Sequence, residues 1–292
     1  MKQHIIYHQV KPGMDCPDGV MAAAIASLAY PDAEIVGDSY QDNDWYWEND
    51  PYPYGDCKLI IVDFSYPTGW LNYWKNNECD VTVIDHHAPK FPMLSGFSGA
   101  ILDANECGAT LTWKTFFPNS PLPELLLHVR RRDIGVDGYY QGLCRESEAV
   151  NEELAAIRYQ SDNAIELLKS LLQTEDVHSL CEMLRQAGEV KLVERDLIIQ
   201  KACERCRLVK LGEYVVSYLE TTPAEDRHVS NIGNYMCRTV HPDATFAWVK
   251  THDGKSSLRS TGFDVSVVAN QYGGGGHIQA SGFSRNVEPI EL

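Results

Sequence analysis

The chain reads as an α/β protein of two domains, a larger N-terminal parallel-sheet domain and a smaller C-terminal α/β domain joined by a long helical linker. Three observations predict this. Short β-branched apolar runs at 59–62 and 81–84 each end on an acid, Asp63 and Asp85, the second followed at once by His86 and His87. Buried parallel strands look like this, and their C-terminal ends form the edge of an open sheet where ligands bind. Residues 177–206 carry Val177, Leu180, Leu184, Ala187 and Val190 at helical spacing with charge between them. An amphipathic helix about 40 Å long is a good inter-domain connector or equally one wall of the first domain, and its apolar face needs a partner in either case. Beyond it, strand and helix patterns alternate again and close on a glycine run, so the expected domains are 1–176 and 207–292, with 177–206 as linker.

Composition narrows the class. The 292 residues suffice for two ordinary cores, and 44% hydrophobic against 23% charged residues is a globular balance. A net charge of -16 argues against a protein that grips long nucleic acid by its phosphates, which requires clustered Lys and Arg. A small anionic substrate stays compatible if a metal or a local basic group offsets the repulsion. The nine cysteines are odd in number and scattered, Cys79, Cys181 and Cys237 among apolar neighbours, which is not the pattern of a secreted disulfide framework. The first apolar run is too short for a signal peptide and no stretch reaches membrane-spanning length. The expectation is a soluble cytoplasmic protein with no membrane partner.

In chain order, 4–7 predicts a first strand with His8 at its end, followed by a loop carrying Asp15, Cys16 and Asp18, then an Ala-rich helix over 20–30 stopped by Pro31. The second strand, 59–62, ends on Asp63. Between them, 40–56 is crowded with Asp, Tyr, Trp and Pro and reads as an irregular loop whose rings cap the core or stack on a base. After the double-histidine strand, 108–117 and 122–132 predict helices, the second ending in three arginines and Asp133. Arginines complement a helix C-terminus; an acid there needs something cationic to hold it. Helices follow at 146–159 and 162–173. In the last domain, strands are expected at 214–220, 245–250 and 256–260, and helices at 230–238 and 264–271. The run Gly273 to Gly276 before His277 can converge backbone N–H groups on an anion as a nest, although glycine runs are also simple turns.

His8, Asp15, Asp18, Asp63, His86 and Asp133 thus stand at strand or helix ends. Mixed carboxylate and imidazole ligands suit octahedral divalent ions such as Mn²⁺ better than a structural zinc site, which would recruit cysteine. A carboxylate between two such ions can bridge them. That is the ligand set of a two-metal hydrolase, whose bridging water becomes hydroxide near neutral pH and attacks phosphorus in line.

These residues resemble the motifs of the DHH phosphoesterase superfamily, specifically the subfamily with a C-terminal DHHA1 domain, which includes oligoribonucleases acting on very short RNA, the RecJ exonuclease and related phosphodiesterases. The matching stretches are Tyr7-His8 through Asp18-Gly19, Val62-Asp63, Asp85-His86-His87 and Arg132-Asp133-Ile134. The resemblance implies one ion on His8, Asp63 and a first-motif acid, and a second on Asp18, Asp63, His86 and Asp133, with Asp63 bridging. It implies Mn²⁺, two ions, with Mg²⁺ or Co²⁺ as substitutes. His87 would contact the substrate phosphate and assist the leaving group, and Asp85 would orient a histidine rather than ligate.

One stretch departs from the family. The usual first motif is His, three residues, Asp, one residue, Asp; here nine residues separate His8 from Asp18, and Cys16 holds the position of the first acid. The favoured expectation is that Asp15 supplies the carboxylate; the alternatives are Cys16 near the first metal, or a weak site. In the second domain, Ser257-Leu258-Arg259-Ser260, Asp264-Val265-Ser266 and the glycine run resemble the DHHA1 motif. By that resemblance, Arg259, Gly274, Gly275, Gly276 and His277 would grip a phosphate or terminal nucleotide, with Ser230 and Asn234 matching weaker positions. The reading is a Mn²⁺-dependent phosphodiesterase that hydrolyses short oligonucleotides or linear dinucleotides to mononucleotides, without long double-stranded DNA as partner and with a homodimer left open. An exopolyphosphatase or cyclic-dinucleotide phosphodiesterase is the enzyme alternative; a nucleotide-binding sensor with a weakened metal site is the other.

Overall fold

The computed structural model describes residues 1–40, 56–134, 144–160 and 163–292, and most of the expected loop at 40–56 therefore lies outside the described residues. The chain divides into two compact units, Met1–Lys191 and Leu192–Leu292.

The first unit is built on a six-stranded sheet. Strands β1 (Lys2–Lys11), β3 (Glu34–Asp38), β4 (Cys57–Val62), β5 (Asp80–Asp85) and β6 (Ala100–Leu102) run parallel in the order β3-β1-β4-β5-β6. The short β2 (Met14–Asp15) pairs antiparallel with the end of β1. Successive residues of these strands face opposite layers. Ile5, Ile60, Val62 and Ile84 pack on one side, while Ile6, Leu59, Ile61, Val81 and Val83 pack on the other. Such continuous apolar runs are what strands covered on both faces require.

Helices α1 (Pro17–Ala29), α4 (Gly108–Phe116), α5 (Glu124–Ile134), α6 (Arg145–Gln160) and α7 (Ala164–Leu172) contribute to the first layer. On the other face lies α2 (Thr68–Asn76), with Trp70, Leu71 and Trp74 buried, followed after β5 by the short α3 (Phe91–Leu94).

Three expectations shift. β1 continues past His8, because the turn at Gly13, with φ of 75°, folds β2 back onto it. The first helix begins at Pro17, which brings Asp18 into its opening turn. One cysteine pair is bridged: Cys57 opens β4, Cys79 precedes β5, and the parallel register Lys58↔Asp80 sets them side by side with Cα atoms 4.7 Å apart. The other seven cysteines are free.

Helix α8 (Val177–Cys203) does not stand as a bare connector. Leu180, Cys181 and Leu184 enter the core of the first unit, whereas Ile199, Ala202 and Cys203 enter a core of the second. The second unit is built on a seven-stranded sheet. Its strands are β7 (Arg207–Leu211), β8 (Tyr214–Glu220), β9 (Ala247–Lys250), β10 (Ser256–Arg259), β11 (Gly275–His277), β12 (Ala280–Phe283) and β13 (Ile290–Glu291), accompanied by α9 (Val229–Tyr235) and α10 (Val265–Gln271). They lie in the order β11-β12-β10-β9-β8-β7-β13. Asp264 caps α10 by accepting from the Ser266 amide at 3.0 Å. Among the described residues, no helix is long and apolar enough to cross a membrane.

Candidate metal centre

Parallel register assembles the site. Tyr7 pairs with Val62, and Val62 with Ile84, so the residues that follow, His8, Asp63 and Asp85, stand at one level along three adjacent strands. Asp63 sits there in the left-handed region, φ 56°, its amide donating to the Ile84 carbonyl at 2.9 Å. That conformation costs a residue with a Cβ about 1–2 kcal/mol and points to a constraint imposed by the site. The side chain is 1% exposed, and neither carboxylate oxygen accepts a hydrogen bond of standard geometry among the described residues. Its close neighbours are imidazoles, His86 Nε2 at 3.0 Å from Oδ1 and His8 Nδ1 at 3.4 Å from Oδ2.

His86 collects two further carboxylates on the same ring nitrogen, Asp133 at 3.4 Å and Asp18 at 3.7 Å. The acid at the end of α5 thereby finds the cationic partner its position demands. Asp18 is fixed from the opposite side, since both its oxygens accept backbone amides at the start of α4, from Gly108 and from Ala109 at 2.9 Å. A carboxylate at a helix N-terminus is favourable by up to about 2 kcal/mol in a partly buried setting. Gly108 has no substitute in this arrangement: a Cβ there would lie 2.5 Å from the Asp63 Cβ. The sequence marks Gly108 only as the first residue of a helix; the unusual choice of glycine at that first position, instead of past the end, is the signal that could have singled it out.

The first-motif expectation needs correction. Asp15 is not drawn into this cluster, because on β2 its Oδ1 accepts from the Tyr7 hydroxyl and from Gln9 Nε2, both at 2.8 Å. Cys16 occupies the place beside His8 and Asp63, with one potential ligand atom from each of the three within 4.8 Å of the others.

Asp85 turns inward. It is fully buried, accepts from the Ser65 hydroxyl and from the amides of His86 and His87, and holds His87 Nδ1 at 2.7 Å. This fixes the His87 ring and leaves Nε2 directed away from Asp85. Tyr40 closes one side, its ring centroid 5.3 Å from that of His8, 4.5 Å from Phe64 and 6.0 Å from His87, with Lys90 Nζ 4.3 Å from its centre.

The electrostatics are unbalanced. Burial together with the Asp63 and Asp133 charges pushes Asp18 well above the usual carboxylate range, and burial and Asp63 raise Asp133. Burial also opposes ionisation of Asp63, but the imidazoles of His8 and His86 outweigh it and hold this carboxyl low. For His86, burial is overcome by Asp63, Asp18 and Asp133, and its pKa rises to about 10. Burial and the charges of Asp63 and Asp18 push the Cys16 thiol well up. A buried carboxylate with two unsatisfied oxygens, converging acids and a donor set of carboxylate, imidazole and thiol fit divalent cations.

In the second unit, Arg259 on β10 is held by its own neighbours. Nη1 donates to the Leu258 carbonyl at 2.8 Å and to Ser257 Oγ at 3.1 Å, and Nη2 to Ser230 Oγ at 2.7 Å. The glycine run is an edge strand more than a nest. The amides of Gly273 and Gly274 close α10 by donating to the Asn270 and Ala269 carbonyls, while Gly275 and Gly276 belong to β11. Gly276, with φ of 140° and a Cβ position that would lie 2.6 Å from the Ala280 carbonyl oxygen, must be glycine to pair this way. His277, described by its backbone, shares Ala280 as a register partner with Arg259, so strand pairing sets the two in one row across β12.

No family model matches the chain. Among curated proteins, an uncharacterized protein of Acanthamoeba polyphaga mimivirus is 27% identical over 234 residues, 77% of this chain and 52% of the viral protein. The chain thus spans about half the length of this relative. Among solved structures, RecJ of Thermus thermophilus in complex with Mn²⁺ is similar with a TM-score of 0.55 at 15% identity, over 99% of this chain and 53% of RecJ. The DHH domain of a member of the s1p family of ribosomal proteins is similar with a TM-score of 0.56 at 13% identity, over 99% of this chain and 83% of that one. At such identities the likeness is one of fold, and it agrees with the two-domain α/β architecture: the chain shares the fold of RecJ and of that DHH domain.

Proposed function

We propose that the chain is a divalent-metal-dependent phosphodiesterase acting on short nucleotide substrates, linear dinucleotides and short oligonucleotides, with mononucleotides as products. The observation that carries this reading is the buried carboxylate of Asp63, whose oxygens accept no hydrogen bond of standard geometry among the described residues, with His8 and Cys16 on one side and Asp18, His86 and Asp133 on the other. Asp63 would bridge two cations, with His8 on the first and Asp18, His86 and Asp133 on the second, and Mn²⁺ suits the oxygen- and nitrogen-rich second position. When bound, such ions supply Lewis acidity and an activated water for in-line attack on phosphorus. His87, fixed through Asp85, would present Nε2 to the substrate phosphate and steady the departing oxygen. Arg259, anchored by Ser230 and Ser257, would offer its guanidinium to a terminal phosphate. The net charge of -16 supports a short substrate over an extended one.

The test is a substrate panel with Mn²⁺, comprising a linear dinucleotide, a cyclic dinucleotide, a short oligoribonucleotide and polyphosphate, with products resolved. Metal-dependent release of mononucleotides from the linear substrates is expected. Orthophosphate from polyphosphate alone would make the chain an exopolyphosphatase, and tight nucleotide binding without turnover on any member would make it a sensor.

A further inference from the structure

Two cation positions that share Asp63 need not be alike. One is framed by Asp18, His86 and Asp133, an oxygen and nitrogen set; the other by His8 and Cys16, which brings a sulfur. We propose that Cys16 is a direct ligand of the first cation, so that this position takes zinc-class ions while the second takes Mn²⁺ or Mg²⁺, and the centre is a mixed-metal one. The inference rests on the two-cation reading above and deepens it by assigning a different ion class to each position.

Four features of the structure carry it. The carboxylate that could have served, Asp15, is engaged by Tyr7 and Gln9 and stands outside the cluster. Cys16 is fastened in place, its amide donating to the His8 carbonyl at 3.3 Å and its own carbonyl accepting from Val20 as α1 begins. Although it is the N-cap of α1, its side chain makes no capping hydrogen bond of standard geometry, with only the Gly19 amide facing the sulfur from the helix. Finally, Asp63 and His8 Nδ1 beside it are buried without hydrogen-bond partners among the described residues. Ligands on one tetrahedral ion with bonds of about 2.0–2.3 Å lie about 3–4 Å apart. The His8 Nδ1 to Asp63 Oδ2 separation of 3.4 Å meets that, and all three ligand atoms fall within 4.8 Å.

Ligand softness does the selecting. Thiolate and imidazole favour Zn²⁺ and Co²⁺ over Mn²⁺ and Mg²⁺, whereas carboxylate-rich positions reverse the preference. As the sulfur–metal bond forms, the thiol proton leaves to solvent, and the oxidation state of the metal is unchanged. The second thiol nearby, Cys107, is engaged with Thr110 at the start of α4 and serves as the control.

The experiment titrates Co²⁺ into the metal-free full chain and follows the near-ultraviolet thiolate-to-cobalt charge-transfer absorption, with stoichiometry from elemental analysis. Wild type and Cys107→Ser should show the band and two cations per chain. Cys16→Ser and Cys16→Asp should lack it, while Cys16→Asp still binds two cations. Losing an outer-shell partner already costs about 10–100-fold in affinity, so Cys16→Ser should weaken the first position by at least that much. In mixed Zn²⁺ and Mn²⁺, wild type should retain one zinc, and Cys16→Asp should exchange it for manganese. Two bound cobalt ions without the band, or a band that survives Cys16→Ser, would overturn the assignment and leave the two-cation reading standing. A wild-type chain that binds no divalent cation would instead remove that reading, and the proposal with it.

Discussion

The two units arrange their polar groups in opposite ways. Around Asp63, the first unit leaves acids mutually repelling and the shared carboxylate without a standard hydrogen bond among the described residues, whereas the second surrounds Arg259 with a carbonyl and two serine hydroxyls. The contrast teaches a division by chemistry. A centre that is to hold cations gains from a shared carboxylate not committed to the backbone, while Asp18 is oriented by the amides of Gly108 and Ala109. A residue meant to recognise an anion gains from being fixed beforehand, since less freedom is lost when the contact forms.

Removing the shared ligand should break the comparison most completely. Asp63→Ala is expected to abolish binding of both cations and hydrolysis with them, while Asp18 and Asp133 remain beside His86 in the metal-free chain. Elemental analysis showing two retained metals would end the bridging role. Next in size comes Gly108→Ala, which places a methyl group against Asp63. It should lower the unfolding free energy by about 1–3 kcal/mol, read from denaturant midpoints, and weaken cation binding in the same protein. Unchanged affinity would mean that α4 shifts without disturbing the acids.

Arg259→Ala sharpens the other side. Loss of a charge-assisted contact of roughly 1.5–3 kcal/mol should raise KM for a dinucleotide about tenfold to a hundredfold. Both ions should stay bound, and cleavage of a small generic diester such as bis-p-nitrophenyl phosphate should be nearly unchanged. An equal loss on both substrates would place Arg259 in support of the fold instead.

The last effect is a pH dependence of the metal-free chain. His86 is raised from 6.5 to about 10, so its contribution to stability is fully present below pH 6.5 and is lost as pH rises through about 10. Thermal unfolding in chelator should therefore show this alkaline decline, and His86→Gln should flatten it. With saturating Mn²⁺, occupancy at about a hundred times Kd adds roughly 2.7 kcal/mol and the decline should shrink, because the cation replaces the proton. A wild-type profile identical to that of His86→Gln would refute the pairing of His86 with the three acids.

Much of the first unit was legible locally. Strand periodicity at 59–62 and 81–84 marks elements buried on both faces, and an acid after each marks the ligand edge, because both signals repeat within a few residues. The strand β3 was not legible: Glu34–Asp38 carries a glycine and two acids, and only pairing with β1 makes it a strand. The glycine run reads locally as an anion nest or a simple turn; that Gly275 and Gly276 pair with β12 as an edge strand was not legible.

What the sequence determined alone was the class of the fold, the strand-end placement of Asp63, Asp85 and His86, and the acid on the last turn of α5, since each follows from residue type and local period; His8 lies within β1 instead of at its end. What only the tertiary structure decided was the choice among neighbours. A hairpin one residue from the cluster turns Asp15 onto Tyr7 and Gln9 and leaves Cys16 beside His8; the amides of Gly108 and Ala109 reach Asp18 from 90 positions away; and the register of β4 and β5 bridges Cys57 to Cys79. Register and packing set these distances through contacts between residues far apart in the chain, and no local pattern in the sequence carries that information.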